Sequence, residues 1–157
     1  MWLRAFPAVC VTVVSCLSCG GSQSLGSNAA GRDAIAAYRA MWDDMAIASH
    51  TDDYQSPLLS QHADGAALEL LRQGLYANLQ LHQVNRGSPV LSPHVVSATR
   101  SAVQIVDCFD DTSWPSYTGT TSQDPKTLGR HRNVATVVRV GGAWKVVELS
   151  VGDLHTC

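Results

Sequence analysis

The chain has 157 residues, 45% of them hydrophobic and only 15% charged, with 11 Lys plus Arg against 13 Asp plus Glu. That fits one domain with one core, is too apolar for intrinsic disorder, and leaves a formal charge of −2. A weakly acidic chain without a basic run gives no electrostatic reason to bind nucleic acid or anionic headgroups.

The first element is an export signal over residues 1–19. Met1 to Arg4 is short and carries one positive charge, and Ala5 to Leu17 is almost wholly apolar or small. The apolar run is short of the roughly 20 residues that a transmembrane helix needs, and Pro7 weakens it further. Two cysteines fit a lipobox, the site at which an exported bacterial chain is acylated. Val13-Val14-Ser15-Cys16 has the aliphatic residue at −3. Cys19 has Ser18 before it, Gly20-Gly21-Ser22 after it and the better distance from the N-terminus. Cys16 or Cys19 is therefore the expected lipid attachment point, and cleavage without acylation is the alternative. Residues 20–31 are rich in Gly, Ser, Asn and Ala and read as a flexible linker with an r.m.s. span of about 20 Å.

The domain is expected over residues 32–157. Ile35, Tyr38, Trp42 and Met45 follow a 3–4 spacing, one stripe of a helix from Asp33 to Ala48 with Asp33 near its N-cap. Pro57 starts a short helical turn carrying Leu58 and Leu59. Asp64 opens a second long helix, striped by Leu68, Leu71, Leu75 and Leu79 and ended by Asn85-Arg86-Gly87.

After Gly87 the period changes to two. Val90 to Ala98 reads as a strand that Pro93 makes bulged or edge-lying. Ser101 to Phe109 alternates, with Val103, Ile105 and Asp107 of one parity. Asp110 to Arg130 is a long polar loop, with room for a short strand near Trp114 to Tyr117. Asn133 to Val140 and Ala143 to Val151 form a hairpin across Gly141-Gly142. Helices followed by an antiparallel meander give an α+β fold.

Of five cysteines, Cys10, Cys16 and Cys19 belong to the signal region. Cys108 and Cys157 remain, and an oxidising compartment favours pairing them. No Cys-x-x-Cys spacing remains in the domain, so no metal site is expected.

Ala36-Ala37-Tyr38-Arg39-Ala40-Met41-Trp42 resembles the opening helix of the SnoaL-like, or nuclear-transport-factor-2-like, superfamily. Gly141-Gly142-Ala143-Trp144-Lys145-Val146-Val147-Glu148-Leu149 resembles its closing hairpin. Val106 to Ser113 with the terminal Cys157 is similar to exported actinobacterial lipoproteins of that type. The resemblance covers most of Ala36 to Cys157 and implies a cone: N-terminal helices on a curved antiparallel sheet around an open-ended apolar pocket, often in a dimer. The chain departs from the fullest form of the fold in lacking an early strand between the helices.

A pocket of that kind could take chemistry from few residues. Asp107, inward on its strand, is a weak catalytic candidate, with fixing the loop that follows as its structural role. His82 lies seven residues after Leu75 and continues an apolar stripe, a second weak candidate. Tyr38, Trp42, Trp114 and Tyr117 are the aromatic residues able to face a ligand. Asp43 and Asp44 sit at the stripe's margin and read as a solvated acidic edge, and His131, between two arginines, reads as exposed. No serine elbow, phosphate loop or calcium pattern is present, and no cofactor is implied.

The function expected is that of a lipid-anchored domain on the outer face of the cytoplasmic membrane. It would bind a small apolar ligand, a peptide or a partner protein without catalysis. One alternative is an envelope isomerase, dehydratase or hydrolase working through a pocket Asp or His. Another is a structural or assembly factor whose pocket is filled by its own side chains.

Overall fold

The computed structural model describes residues 21–157. The segment expected to be an export signal, with Cys10, Cys16 and Cys19, lies outside the described residues.

The described residues open with one long helix, α1 (Gly21–Ser49). Residues 21–31, expected as part of a flexible linker, are helical, and Ala30 and Gly31 are buried. The reason lies in tertiary contact. A Cβ at Gly31 would stand 3.3 Å from a methyl of Val95, so the small residues let the helix lie close against a strand. Asp33 is consequently inside the helix and caps nothing.

Of the expected stripe of α1, Tyr38, Trp42 and Met45 are under 9% exposed and Ile35 is partly buried; Met41 and Ala34, Ala37, Ala46 and Ala48 widen it. A short turn, α2 (Leu59–His62), follows. Then comes α3 (Gly65–Gln80), whose N-cap Asp64 accepts the Gly65 amide at 2.7 Å. Leu71 and Leu75 are buried and Leu68 partly so, but Leu79 is 40% exposed. The stripe runs off the core one turn before the helix ends. His82 has φ of 53°, the left-handed conformation of a helix terminus, and its amide bonds the Leu79 carbonyl.

The strands are β1 (Gln83–Asn85), β2 (His94–Ala98), β3 (Ala102–Asp110), β4 (Ser116–Thr118), β5 (Thr121–Ser122), β6 (Arg130–Val140) and β7 (Ala143–Ser150). They form two antiparallel sheets. The larger is the meander β2-β3-β6-β7, and the smaller is β1-β4-β5. β2 is an edge strand starting after Pro93, with a bulge between Val95 and Ser97, as the proline required. The β6–β7 turn is Gly141-Gly142, with φ of 58° and 89°, values that side chains rarely tolerate. The long polar loop is more structured than its composition implied. Its β4 pairs with β1, directly beyond α3, so neither segment is a strand until the fold brings them together.

Val103, Ile105, Asp107 and Phe109 share the inner face of β3 as the alternation predicted, and each is under 5% exposed. Ala135 and Val137 of β6 and Trp144 and Val146 of β7 complete that face, against α1 and α3. Cys108 and Cys157 are bonded, with Cα atoms 5.8 Å apart. The bond pins the C-terminal segment beside the start of β6. There Leu154 bridges His131, and the Thr156 hydroxyl accepts the Arg132 amide at 2.8 Å.

Candidate functional site

The structure gathers four of the six residues singled out for chemistry or ligand contact. Tyr38 and Trp42 come from α1, Asp107 from β3, and Trp114 from the loop before β4. They meet because α1 lies across the inner face of β3, so its inward stripe faces the odd-numbered residues of that strand.

Asp107 is fully buried. The Tyr38 hydroxyl donates to its Oδ2 at 3.0 Å, and the Ser92 amide donates to its Oδ1 at 2.6 Å. Both carboxylate oxygens are therefore committed. Burial pushes the Asp107 carboxyl above its ordinary value, while the Ser92 and Tyr38 bonds and the charges of Arg39 and His94 pull it back. Burial, followed by the neighbouring Asp107 charge, raises the Tyr38 hydroxyl well above its usual range. Asp107 does fix a loop, but it is the segment entering β2 at Ser92, not the one leaving β3.

Across the ladder, Asp107 pairs with Asn133 of β6, which is also fully buried. Among the described residues, neither amide atom of Asn133 nor the indole Nε1 of Trp42 makes a well-aligned hydrogen bond, although both side chains lie close enough to the Tyr38 hydroxyl to lower its affinity for the proton. The interior thus carries a small polar heart of one acid, one phenol, one amide and one indole.

Around it stands a column of rings. Trp42 packs on Phe109 at 4.5 Å between centroids and meets Tyr38 and Trp114 edge-on at 6.4 and 6.2 Å. Trp114 is 8% exposed, and its Nε1 donates to Ser49 Oγ at 3.2 Å. Its carbonyl accepts from Asn85 Nδ2, which ties α1, β1 and the β4 loop together. The inside of the sheet at Asp107 is thereby occupied by the protein's own aromatic side chains.

The other two residues stand apart. His82 is exposed at the end of α3, because the helix terminates before the stripe reaches it. It is not a residue of the interior. Tyr117 is half-buried on β4, where the Arg86 guanidinium lies 4.7 Å from its ring centre.

Three sites escaped the sequence. Asp44 is 8% exposed, not solvated, and its Oδ2 lies 2.7 Å from His62 Nδ1, joining α1 to α2. Its position three residues after Met41 was the available signal. His131 is half-buried rather than exposed, with Nδ1 3.0 Å from the Gly152 carbonyl and Nε2 3.3 Å from Asp111. Asn133 shares the parity of Ala135 and Val137, which could have placed it inside. Among the described residues no cluster of three or more His, Cys, Asp or Glu could hold a metal ion, and no helix is long and apolar enough to cross a membrane.

No family model matches the chain, and no curated protein matches it. Among solved structures it is similar to the intermembrane space region of the chloroplast protein ARC6. The TM-score is 0.57 at 15% identity, over 78% of this chain and 96% of that one. At that identity the likeness is one of fold. A Nostoc punctiforme protein of unknown function, described as having a cystatin-like fold, aligns at a TM-score of 0.44 and 15% identity, over 76% of this chain and 87% of that one.

Proposed function

We propose that the chain is an exported, lipid-anchored domain that works without catalysis by holding a partner protein at the cell envelope. In this reading the fold is a SnoaL-like cone whose pocket has been filled from within. The observation that carries it is the aromatic column. Tyr38, Trp42, Phe109 and Trp114 occupy the space where a ligand-binding cone would be open, and Asp107 spends both oxygens on the protein itself. A filled interior leaves the outer surface to do the binding. The apolar segment before Cys16 and Cys19, with the Cys108–Cys157 bond, supports an oxidising site outside the cytoplasm.

Native mass spectrometry of the protein extracted from membranes tests this directly. The expected species is the polypeptide from Cys16 or Cys19 onward plus acyl chains, with no stoichiometric small molecule. A retained apolar ligand overturns the filled-interior reading, and an unmodified N-terminus after Cys19 overturns the anchor.

The enzymatic alternative draws on the raised Asp107 carboxyl beside Tyr38. A general base must reach a substrate proton within hydrogen-bond distance. A fully buried carboxylate already bonded at both oxygens favours an architectural role.

A further inference from the structure

A groove on the outer flank of α3 has the composition of a binding hot spot. It is lined by Tyr54, Glu69, Arg72, Gln73 and Tyr76 and encloses about 240 Å3. Tyr54 and Tyr76 stand edge to face, 5.2 Å between centroids, and Tyr76 remains 49% exposed. Leu79, three residues further along the helix, is 40% exposed.

Tyr54 is placed there by an unusual turn. Asp52 has φ of 51°, and its side chain is buried with Oδ1 lacking a direct partner. The Tyr54 amide bonds back to the Asp52 carbonyl at 2.9 Å. Backbone strain at a non-glycine residue is held only where surrounding contacts fix it. Here its consequence is a tyrosine turned against α3.

Arg72 supplies the charge. Its Nε is shielded from solvent and has no hydrogen-bond partner, and among the described residues it has no ion pair. Glu69 shares the groove and keeps its charge, but its Oε1 accepts from Gln73 Nε2 at 2.9 Å and it forms no ion pair with Arg72, whose donors are left to an incoming group. A guanidinium with no ion pair among the described residues, sharing a groove with two tyrosines, suits a carboxylate carried next to an apolar group. Tyr and Arg are also the residue types that dominate binding energy at protein interfaces. The groove opens onto solvent along Gln73 and Tyr76, so its occupant must bring its own cover.

We infer that this groove docks a partner-protein segment in which an Asp or Glu side chain meets Arg72 and an adjacent apolar residue packs on Tyr54 and Tyr76. The inference rests on the partner-binding reading above and names where that binding occurs.

The probe is a displayed library of random peptides, selected on the purified mature chain. Peptides pairing an acidic with an apolar residue are expected to be enriched. Their binding should fall about tenfold in Arg72→Gln, recover only in part in Arg72→Lys, which keeps charge but loses the fork, and weaken with salt. Tyr76→Ala should cost a similar factor, with melting temperature checking that each variant is folded. Enriched peptides without acidic residues, or binding indifferent to Arg72→Gln and Tyr76→Ala, overturn the inference. So does benzoate binding as tightly as the peptides, which would make this a small-molecule site.

A photo-crosslinking residue placed at Gln73 or at Thr136 in producing cells separates this inference from the reading beneath it. Protein adducts at Gln73 that vanish in Arg72→Gln support it. Adducts only at Thr136, on the outer sheet face, overturn this groove and leave partner binding standing. Adducts from neither position overturn both.

Discussion

At the scale of residues, Asp107 is a fully buried side chain bonded at both oxygens. A carboxylate in an apolar interior is costly unless its oxygens are bonded, and Tyr38 and Ser92 provide those bonds. Its raised value in the native state means that folding favours the protonated form. That contribution is complete below the ordinary carboxylate value and is lost as pH rises through the raised one. Asp107→Asn can keep both contacts, with its carbonyl toward the Ser92 amide and its amino group toward the Tyr38 oxygen, while removing the titration. The expected result is that wild type loses melting temperature relative to Asp107→Asn as pH rises above about 4. A difference that stays constant from acid to neutral pH would show that Asp107 titrates as it does in water. Asp52 is also raised by burial and Asp110 is lowered by its Thr112 and Arg130 contacts, but both are present in either protein and cancel in the comparison.

At the scale of elements, periodicity was a sound guide where one face of an element meets the core. Tyr38, Trp42 and Met45 on α1 and Val103, Ile105 and Asp107 on β3 all lie where their spacing put them. It misled at element ends. His82 and Leu79 continue the α3 stripe on paper, but Leu79 in the last turn is 40% exposed and the helix ends at Gln80, before His82. Composition reads residues 20–31 as linker, while residues 21–31 lie in α1. Gly, Ser and Asn lower helix propensity by up to about 1 kcal/mol each, and at Gly31 the helix also lies against Val95 of the sheet. Gly31→Val separates the two descriptions. In a packed helix the branched side chain is driven into Val95, and a loss of about 1–3 kcal/mol is expected from denaturant titration. In a free tether the substitution would leave stability unchanged.

At the scale of the whole molecule, the aromatic column bears on the choice between a container and a scaffold. Trp42 stands at the centre of the aromatic column, touching Tyr38, Phe109 and Trp114. Trp42→Ala should cost about 3–5 kcal/mol and open a cavity at the polar heart. An apolar fluorescent probe should then bind the variant and not the wild type. Probe bound stoichiometrically by the native wild type would show that the interior already has room for a ligand. The helices, the meander and the Cys108–Cys157 bond were legible because each follows from local pattern or from counting. The small sheet was only half legible. β1 and β4 are three residues each and belong together only because α3 delivers one beside the loop that carries the other.

The sequence by itself determined an α+β order of elements, the inward parity of Asp107 and an even pair of cysteines for the domain; the export signal with its two acylation candidates is an expectation drawn from it. These are one-dimensional properties, fixed by spacing and composition. Only the tertiary structure decided that Asp107 is sealed by Tyr38 and Ser92, that four rings pack into one column beside it, and that Arg72 shares a groove with two tyrosines and has no ion pair among the described residues. Those outcomes depend on which faces meet at what distance, and a packed interior sets that jointly for all its side chains.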